Sequence, residues 1–249
     1  MISQNRKIQF DFGWSHKFLY GHRIVGTILT LVALWLYVII PKMPFVAFII
    51  FLVALNSFVG GLIVRKFNSS DLLTIPYVDL LKSDKDQVLD ACCGSGRSTI
   101  ALAMVIKNGH ITAFDRFDAD YIDKGGRTLL ESNLQKINLL NKVTIVQGDV
   151  TEMNFENNTF DAAFSSYAFD HLGNQKLKAL QEVNRVLNEK ERFLLIVIVP
   201  SLQTFFFSSL LSFLIPSSKS WHKLFEKSNF ALKDEGVINI GRYFLVEKK

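Results

Sequence analysis

The stretch that decides the fold runs from Val88 to Gly96 and reads Val-Leu-Asp-Ala-Cys-Cys-Gly-Ser-Gly. Its apolar start predicts a short buried strand over Gln87–Asp90, and its glycines predict a tight turn. A helix predicted over Ser98–Ile106 follows at once. A strand, loop and helix in this order direct backbone N–H groups and the positive end of a helix dipole toward a ligand. The stretch therefore predicts a binding site at the carboxyl end of the first strand.

Strands and helices alternate over the rest of the chain. The hydrophobic periodicity predicts two further helices, about Ala119–Ile137 and Gln175–Leu187. It also predicts six further strands, the last two joined by a turn at Gly241: His110–Asp115, Val143–Gln147, Phe160–Ser165, Arg192–Val199, Phe230–Ile240 and Arg242–Val246. This alternation is typical of an α/β fold. We expect a mainly parallel seven-stranded sheet with helices on both faces.

Two uncharged runs precede this region, one over Ile24–Ile40 and one over Phe45–Val64. Each is close to the ~20 residues that cross a ~30 Å hydrocarbon core. Only Pro41-Lys42-Met43-Pro44 separates them, so we expect a transmembrane hairpin within residues 1–68 and a second domain over residues 69–249. A cleaved signal peptide does not continue into a second span. A buried hairpin of a soluble protein remains the alternative.

Charge predicts the orientation of the hairpin. Most basic residues near the spans lie before the first or after the second, namely Arg6, Lys7, Lys17, Arg23, Arg65 and Lys66, whereas the connection holds only Lys42. We therefore expect an integral protein of the cytoplasmic membrane with both termini and the second domain in the cytoplasm. Aromatic residues before the first span predict a segment at the headgroup level: Phe10, Phe12, Trp14, Phe18 and Tyr20.

The overall composition excludes several classes of partner. The net charge of +5 is too small and too scattered to indicate nucleic acid, whereas a bilayer fits a chain that is 49% hydrophobic and 20% charged. The two cysteines, Cys92 and Cys93, are adjacent, so they form neither a disulfide framework nor a metal-ligand set. We predict no metal site.

Two further carboxylates are predicted at the edge where the glycine-rich loop lies. Asp115 ends the second predicted strand, where it can accept hydrogen bonds from both hydroxyls of a ribose. Asp149 follows the third strand and can accept one from an adenine amino group. A dinucleotide site is the rival interpretation, but the third glycine of G-x-G-x-x-G is absent. In addition, Asp90 directly before the glycines would repel a pyrophosphate.

These motifs together resemble the class I S-adenosylmethionine-dependent methyltransferases, most of all the branch of ubiquinone and menaquinone biosynthesis. The resemblance covers roughly residues 71–249 and rests on an ordered series: residues 88–96, Ala113-Phe114-Asp115, residues 146–150, residues 158–166 and residues 181–187. It implies a Rossmann-like methyltransferase fold with S-adenosylmethionine as the cofactor.

The resemblance also implies roles for single residues. Asp90, Gly94 and Gly96 would bound the methionine moiety, Asp115 the ribose, and Asp149 with the Val150 backbone the adenine. Cys92, also counted among the cofactor-binding residues, replaces the glycine usual at the first loop position. Its side chain predicts a loop that is not freely left-handed there.

The loop after the fourth predicted strand carries the candidates for chemistry. Methyl transfer from a sulfonium is an in-line displacement, so alignment of the reactants supplies much of the acceleration and a base is optional. Tyr167, Asp170 and His171 are the predicted catalytic residues, able to accept a proton or orient an acceptor. Alternatively, His171 caps the following helix or bonds Asp170.

An uncharged insertion at about residues 201–216 indicates the kind of acceptor. On a helical wheel it has a wide apolar arc, so it either dips into the membrane or forms a buried lid or dimer interface. We expect a membrane-anchored methyltransferase that acts on a lipophilic acceptor, a quinone or phenolic precursor or a lipid, at the cytoplasmic leaflet. A small diffusible thiol, amine or hydroxyl compound as acceptor, or a non-catalytic nucleoside-binding module, are the alternatives. The oligomeric state stays open.

Overall fold

The computed structural model describes residues 9–14, 16–68, 72–76, 78–119, 122 and 125–249. The helices are α1 (His16–Ile39), α2 (Pro44–Asn68), α3 (Arg97–Val105), α4 (Gly126–Lys136), α5 (Lys176–Val186), α6 (Leu202–Ser208) and α7 (Ser218–Lys227). The strands are β1 (Gln87–Ala91), β2 (His110–Asp115), β3 (Val143–Gln147), β4 (Phe160–Ser166), β5 (Leu187–Val197), β6 (Phe230–Ile238) and β7 (Gly241–Lys248).

All seven strands form one sheet in the order β3-β2-β1-β4-β5-β7-β6. The first five in this order are parallel, and β7 runs antiparallel between β5 and β6. The predicted mainly parallel, seven-stranded α/β sheet is therefore confirmed. From the central strand β1, the chain first adds β2 and β3 on one side of the sheet and then crosses over to add β4 and β5 on the other side. That reversal opens a crevice at the carboxyl ends of these strands, where ligands of such sheets bind.

Helices cover both faces of the sheet because its strands are apolar on both. In β1, Val88 packs into one core cluster while Leu89 and Ala91 pack into the other. Leu130 of α4 lies in the cluster with Val88, and Trp221 of α7 lies in the opposite one. Each such fully buried side chain contributes about 1.5–3 kcal/mol. Burial on both faces fixes the positions of the strand ends.

Three predicted element boundaries were wrong. The helix expected from Ala119 begins at Gly126, because Gly125 precedes it with a φ of 77° and breaks the helical path. The strand expected from Arg192 begins at Leu187, directly after α5. The turn before β7 is formed by residues 239–240, and Gly241 lies inside the strand, where a Cβ would approach the Val197 carbonyl oxygen to 2.5 Å.

The two N-terminal helices present apolar side chains outward. Leu19–Ile39 and Pro44–Arg65 are long and apolar enough to cross a membrane. Only 11% and 22% of their most apolar windows are buried, so they are not core helices of the described part of the chain. They pack against each other through small residues, since a Cβ on Gly26 would lie 3.1 Å from the Phe58 ring.

The segment before α1 does not lie where the sequence predicted. Phe12 is buried, and Phe10 and Trp14 pack beside it in the core cluster of α3 and α4. The backbone N–H of Asp11 donates to Asn133 of α4 at 3.1 Å, and the Asn133 amide donates back to the Asp11 carbonyl at 2.7 Å. This segment is therefore part of the folded domain, and its assignment to the headgroup level was wrong for these aromatic residues. The Phe18 side chain lies outside the described part, and Tyr20 is exposed.

The apolar insertion is not one continuous helix. It forms α6 and then a 3₁₀ turn over Ser209–Leu214, and the break falls at Ser209, which has a φ of 52°. A left-handed residue cannot continue a right-handed helix, so the predicted single helical wheel does not apply.

We predict that Gly96→Ala destabilises the protein more than Gly173→Ala. Both glycines are left-handed, but a Cβ on Gly96 would collide with Leu130, whereas Gly173 faces open space. We expect Gly96→Ala to lower the free energy of unfolding by about 2–4 kcal/mol and Gly173→Ala by about 1 kcal/mol. Thermal unfolding of the detergent-purified chain measures both. Equal losses would show that the Gly96–Leu130 contact is not tight.

Candidate functional site

Two adjoining cavities lie at the carboxyl ends of β1, β2, β3 and β4. The larger, about 440 Å³, is lined by Cys92, Asp115, Arg116, Asp118, Ala119, Gly148, Asp149, Val150, Ala168, His171, Leu172 and Gln175. The smaller, about 120 Å³, is lined by Trp14, Leu73, Cys92, Cys93, Gly94, Ser95, Arg97, Ser98, Asp115, Ala119, Ile122, Ser166, Tyr167 and Ala168. Four residues line both, among them Cys92 and Asp115. We call the larger the outer cavity and the smaller the inner cavity; Cys92 of the predicted glycine loop borders both.

The glycine-rich loop is left-handed at three positions. Cys92, Gly94 and Gly96 have φ values of 64°, 56° and 89°. The sequence predicted a backbone that is not freely left-handed at Cys92, and the left-handed conformation found there is held by the Phe114 carbonyl, which accepts hydrogen bonds from the N–H groups of Cys92 and Cys93 at 2.7 and 3.2 Å. A left-handed non-glycine residue costs about 1–2 kcal/mol, which these bonds help to offset. Burial raises the pKa of both thiols, so the cysteines stay protonated at neutral pH.

Asp115 connects the two loops that border the cavities. Its carboxylate accepts a hydrogen bond from the Gly94 N–H at 2.9 Å and another from the Phe117 N–H at 2.6 Å. Burial raises the pKa of Asp115, and these two bonds oppose the rise. The side chain therefore holds the glycine loop in place and still presents acceptor oxygens toward both cavities.

Asp90 lies beneath the glycine loop and is fully buried. Its Oδ2 accepts hydrogen bonds from the hydroxyls of Ser98 and Thr99 at 2.8 and 2.6 Å. Its Oδ1 has no hydrogen-bond partner among the described residues. Burial raises the pKa of Asp90 to about 7, and the two hydroxyls oppose that rise. Asp90 does not line either cavity, so its unsatisfied oxygen lies one layer below the loop.

Asp149 and Val150 line the outer cavity, and Asp149 lies at the sheet edge where the sequence places it. The Asp149 Oδ1 accepts hydrogen bonds from the Thr151 N–H and hydroxyl, both at 2.8 Å, and these bonds lower its pKa. Arg116 lies 3.7 Å from the Asp149 Oδ2. Arg116 was not among the predicted residues, although its position directly after Asp115 marked it as a neighbour of the site.

Tyr167 lines the inner cavity at the end of β4. Its backbone is left-handed, with a φ of 53°, and its N–H donates to the Ile196 carbonyl at 2.7 Å. Its hydroxyl donates to the Ile238 carbonyl at 3.5 Å. Burial raises the pKa of Tyr167 to about 12, so the hydroxyl is protonated at neutral pH. It is suited to orient a ligand rather than to accept a proton.

The structure separates the other two predicted catalytic residues. His171 is exposed and lines the outer cavity, within reach of a ligand there. Asp170 does not line either cavity, and its Oδ2 accepts a hydrogen bond from the Ile198 N–H at 3.3 Å. Burial raises the pKa of Asp170, and the neighbouring His171 opposes that rise. Asp170 thus links the loop after β4 to the chain that leaves β5.

The segment before α1 supplies part of the inner cavity that the sequence did not reveal. Trp14 forms a bridge to Ile122, and both residues line this cavity. The guanidinium of Arg97 lies 5.6 Å from the Phe12 ring centre and 5.8 Å from that of Trp14. More than a hundred residues separate Trp14 from Ile122, so no local sequence pattern indicates their contact.

Comparison with known proteins identifies the central part of the chain. Residues 88–190 match the family described as methyltransferase domain. A demethylmenaquinone methyltransferase of Staphylococcus aureus (strain MRSA252) is 33% identical over 102 residues, which are 41% of this chain and 38% of that relative. The chain thus matches well under half of the length of the relative.

Solved structures resemble the fold over a larger part of the chain than the sequence matches do. A SAM-dependent methyltransferase from Methanosarcina mazei aligns with a TM-score of 0.58 at 16% identity, covering 71% of this chain and 99% of that one. A [4+2]-cyclase aligns with a TM-score of 0.55 at 13% identity, covering 66% and 74%. At these identities the likeness shows the fold alone, and one fold hosts different reactions.

We predict that Asp90→Asn removes a pH-dependent loss of stability. The folded-state pKa of about 7 exceeds the ordinary value of 3.8, so folding disfavours the charged carboxylate. The wild type should therefore lose stability as pH rises from about 4 to about 7, whereas Asn has no charge to bury. The melting temperature of the variant relative to the wild type should rise between pH 5 and pH 8. A difference that stays constant with pH would contradict the buried, protonated Asp90.

Proposed function

The chain carries a class I S-adenosylmethionine-dependent methyltransferase domain, and on that premise we propose that it is a membrane-anchored enzyme that methylates a lipophilic acceptor. S-adenosylmethionine is the cofactor of this domain. We place the domain on the cytoplasmic side, with the hairpin of α1 and α2 in the membrane and both chain ends in the cytoplasm. The acceptor is a quinone or phenolic precursor, or a lipid.

One observation carries the proposal: the candidate membrane anchor begins where the cavity wall ends. Trp14 lines the inner cavity, and α1 starts at His16. A hairpin that crosses the bilayer would therefore hold the cavities within a few residues of the membrane surface. An anchor that served only for location would be expected on a linker without contacts to the site.

The described residues fit the cofactor. Its ammonium and sulfonium groups are positive, and Asp90, Asp115 and Asp149 supply carboxylates at successive strand ends. Asp90 lines neither cavity, so we propose that its unsatisfied Oδ1 acts on the ammonium through a bridging water molecule rather than by direct contact. Asp115 suits the ribose hydroxyls, while Asp149 and the Val150 backbone suit the adenine. The outer cavity of about 440 Å³ offers room for the nucleoside.

The chain's own contribution to the reaction is mainly alignment. When bound, the cofactor supplies an electrophilic methyl group on a sulfonium. Tyr167 lines the inner cavity, and because its hydroxyl already donates to the Ile238 carbonyl, its oxygen can orient an acceptor by accepting a hydrogen bond. His171, exposed at the outer cavity, is the residue we propose to receive a proton where the acceptor must lose one. We assign Asp170 a positioning role through its bond to Ile198.

The nature of the acceptor follows from the anchor and from the relatives. The name of the Staphylococcus relative specifies demethylmenaquinone as the compound that it methylates. A long-chain quinone precursor resides in the bilayer, so an enzyme held at the surface meets it without extraction into water. The exposed apolar helices α1 and α2 support the same setting.

We predict that the full-length protein, reconstituted in vesicles with radiolabelled S-adenosylmethionine, methylates a demethylated quinol that carries a prenyl chain. The matched control is the same ring without the chain, added from solution. Transfer to both compounds alike would favour the diffusible-acceptor alternative. Cofactor binding without transfer to either compound or to membrane extracts would favour a non-catalytic module.

We predict that Asp115→Asn weakens cofactor binding while Asp118→Asn weakens it much less. Both changes remove one negative charge at the outer cavity, but Asp115 is half-buried and holds two backbone N–H groups, whereas Asp118 is exposed and forms a salt bridge with Arg116. Loss of charge-assisted hydrogen bonds at Asp115 should cost about 1.5–3 kcal/mol of binding free energy. Isothermal titration calorimetry of each variant in detergent measures the change in binding free energy. Equal losses would reduce the role of Asp115 to general electrostatics.

A further inference from the structure

The polarity of the insertion over residues 201–216 is inverted relative to a water-facing surface. Thr204 and Ser212 are buried, and the Thr204 hydroxyl donates to the Val199 carbonyl at 2.8 Å. Meanwhile four large apolar side chains are 66–80% exposed: Leu202, Leu211, Phe213 and Leu214. A segment that buries two hydroxyl side chains while it exposes four large apolar ones suits a surrounding of hydrocarbon rather than water.

The insertion packs against α2 of the hairpin, and the contact lies at a defined height along that helix. A Cβ on Gly60 of α2 would lie 2.5 Å from the Phe206 carbonyl oxygen, so the two backbones touch there. Gly60 precedes the exposed Arg65 by five residues, which in a helix is roughly 7–8 Å along the axis. Arg65 ends the apolar part of α2. If Arg65 marks the headgroups, α6 lies about as deep as the apolar face of an interfacial helix.

The charged residues near the insertion are consistent with this depth of α6 in the membrane. A Cβ on Gly61 would lie 3.6 Å from the Arg23 side chain, so Arg23 of α1 stands beside the same turn of α2. Its guanidinium lies 6.0 Å from the Tyr20 ring, which is nearly one turn closer to the N-terminal end. An arginine whose side chain extends toward the N-terminal end of α1 can place its guanidinium among the headgroups while its Cα stays in the apolar layer. After the insertion, Lys219 and Lys223 are exposed on one side of α7.

The insertion also adjoins the reaction site. It leaves β5, whose Ile196 accepts the backbone hydrogen bond of Tyr167. Ile198 then donates to Asp170, and Val199 accepts from Thr204 of the insertion. The start of the insertion is therefore connected by hydrogen bonds to the loop that borders both cavities.

From these contacts we propose that residues 201–216 form a second membrane contact, embedded at the headgroup boundary of the cytoplasmic leaflet, through which a lipid-soluble acceptor reaches the site sideways. The occupant of the exposed apolar surface is lipid. The surface continues that of the hairpin, and no residue from Ser201 to Pro216 is charged. The inference rests on the proposed function, since it takes the hairpin as the anchor.

Fluorescence quenching of the full-length protein in vesicles of phosphatidylcholine and phosphatidylglycerol tests the contact. An environment-sensitive dye on Phe213→Cys should be quenched by lipid that carries a nitroxide near the headgroup and protected from aqueous iodide. A dye on Val105→Cys, at the far end of α3 and 64% exposed, is the water-facing control. Unmodified chain treated with the dye gives the background from Cys92 and Cys93.

The outcomes separate this inference from the proposed function. Iodide quenching at position 213 would mean a water-facing surface, and protection from both quenchers would mean a lid or a contact between copies; each overturns the inference. A dye on Leu31→Cys, 61% exposed near the middle of the first apolar span, reads the hairpin itself, with lipid that carries the nitroxide deep in its acyl chain as the quencher. Quenching at position 31 by this lipid without headgroup-nitroxide quenching at 213 refutes the second contact alone, whereas no quenching at 31 by this lipid refutes the anchor.

A pair of substitutions tests the route of the acceptor. Because Phe213 and Leu214 are 75% and 80% exposed, replacing both with Ser should leave the fold intact. We expect kcat/KM for the prenylated quinol in vesicles to fall about tenfold or more, with cofactor affinity unchanged. Val105→Ser is the matched control and should retain activity. Unchanged turnover by the double variant would overturn the proposed route.

Discussion

The hydrogen bond from the Gly94 N–H to the Asp115 carboxylate, 2.9 Å long, is the interaction on which the site depends. It joins the loop after β1 to the end of β2, and the same carboxylate receives the Phe117 N–H. Both cavities border this junction. Without it, the left-handed loop at Cys92 would lose one of the contacts that hold it against the cost of its conformation.

Much of the domain could be predicted from sequence because its signals are local. Apolar runs such as those at Val88 and Ile111 identify buried strands, and parallel strands bring their carboxyl ends to one edge. Asp115, Asp149 and His171 consequently reach the cavities as expected from their positions after strands. The left-handed Cys92 was not predictable, because it depends on hydrogen bonds to Phe114 of another strand.

Long-range packing accounts for the remaining differences. Phe10, Phe12 and Trp14 have the composition of an interfacial segment, and long-range contacts such as the pairing of Asp11 with Asn133 draw them into the domain. The polar residues of the insertion likewise give no local sign that Thr204 faces inward. In both cases apolar residues have two apolar environments available, the protein core and the lipid, and tertiary contacts decide between them.

The contacts of residues 9–14 tie the start of the two N-terminal helices to the folded domain, and this matters for how the protein can be divided. A truncation that begins after α2 would remove Phe12 from the core and Trp14 from the cavity wall, together with the paired hydrogen bonds of Asp11. The domain boundary in space therefore does not coincide with any single cut in the chain. Because the chain contributes to the cavity wall before α1 and again after α2, the two helices form an excursion from the domain rather than a leading segment that can be removed whole.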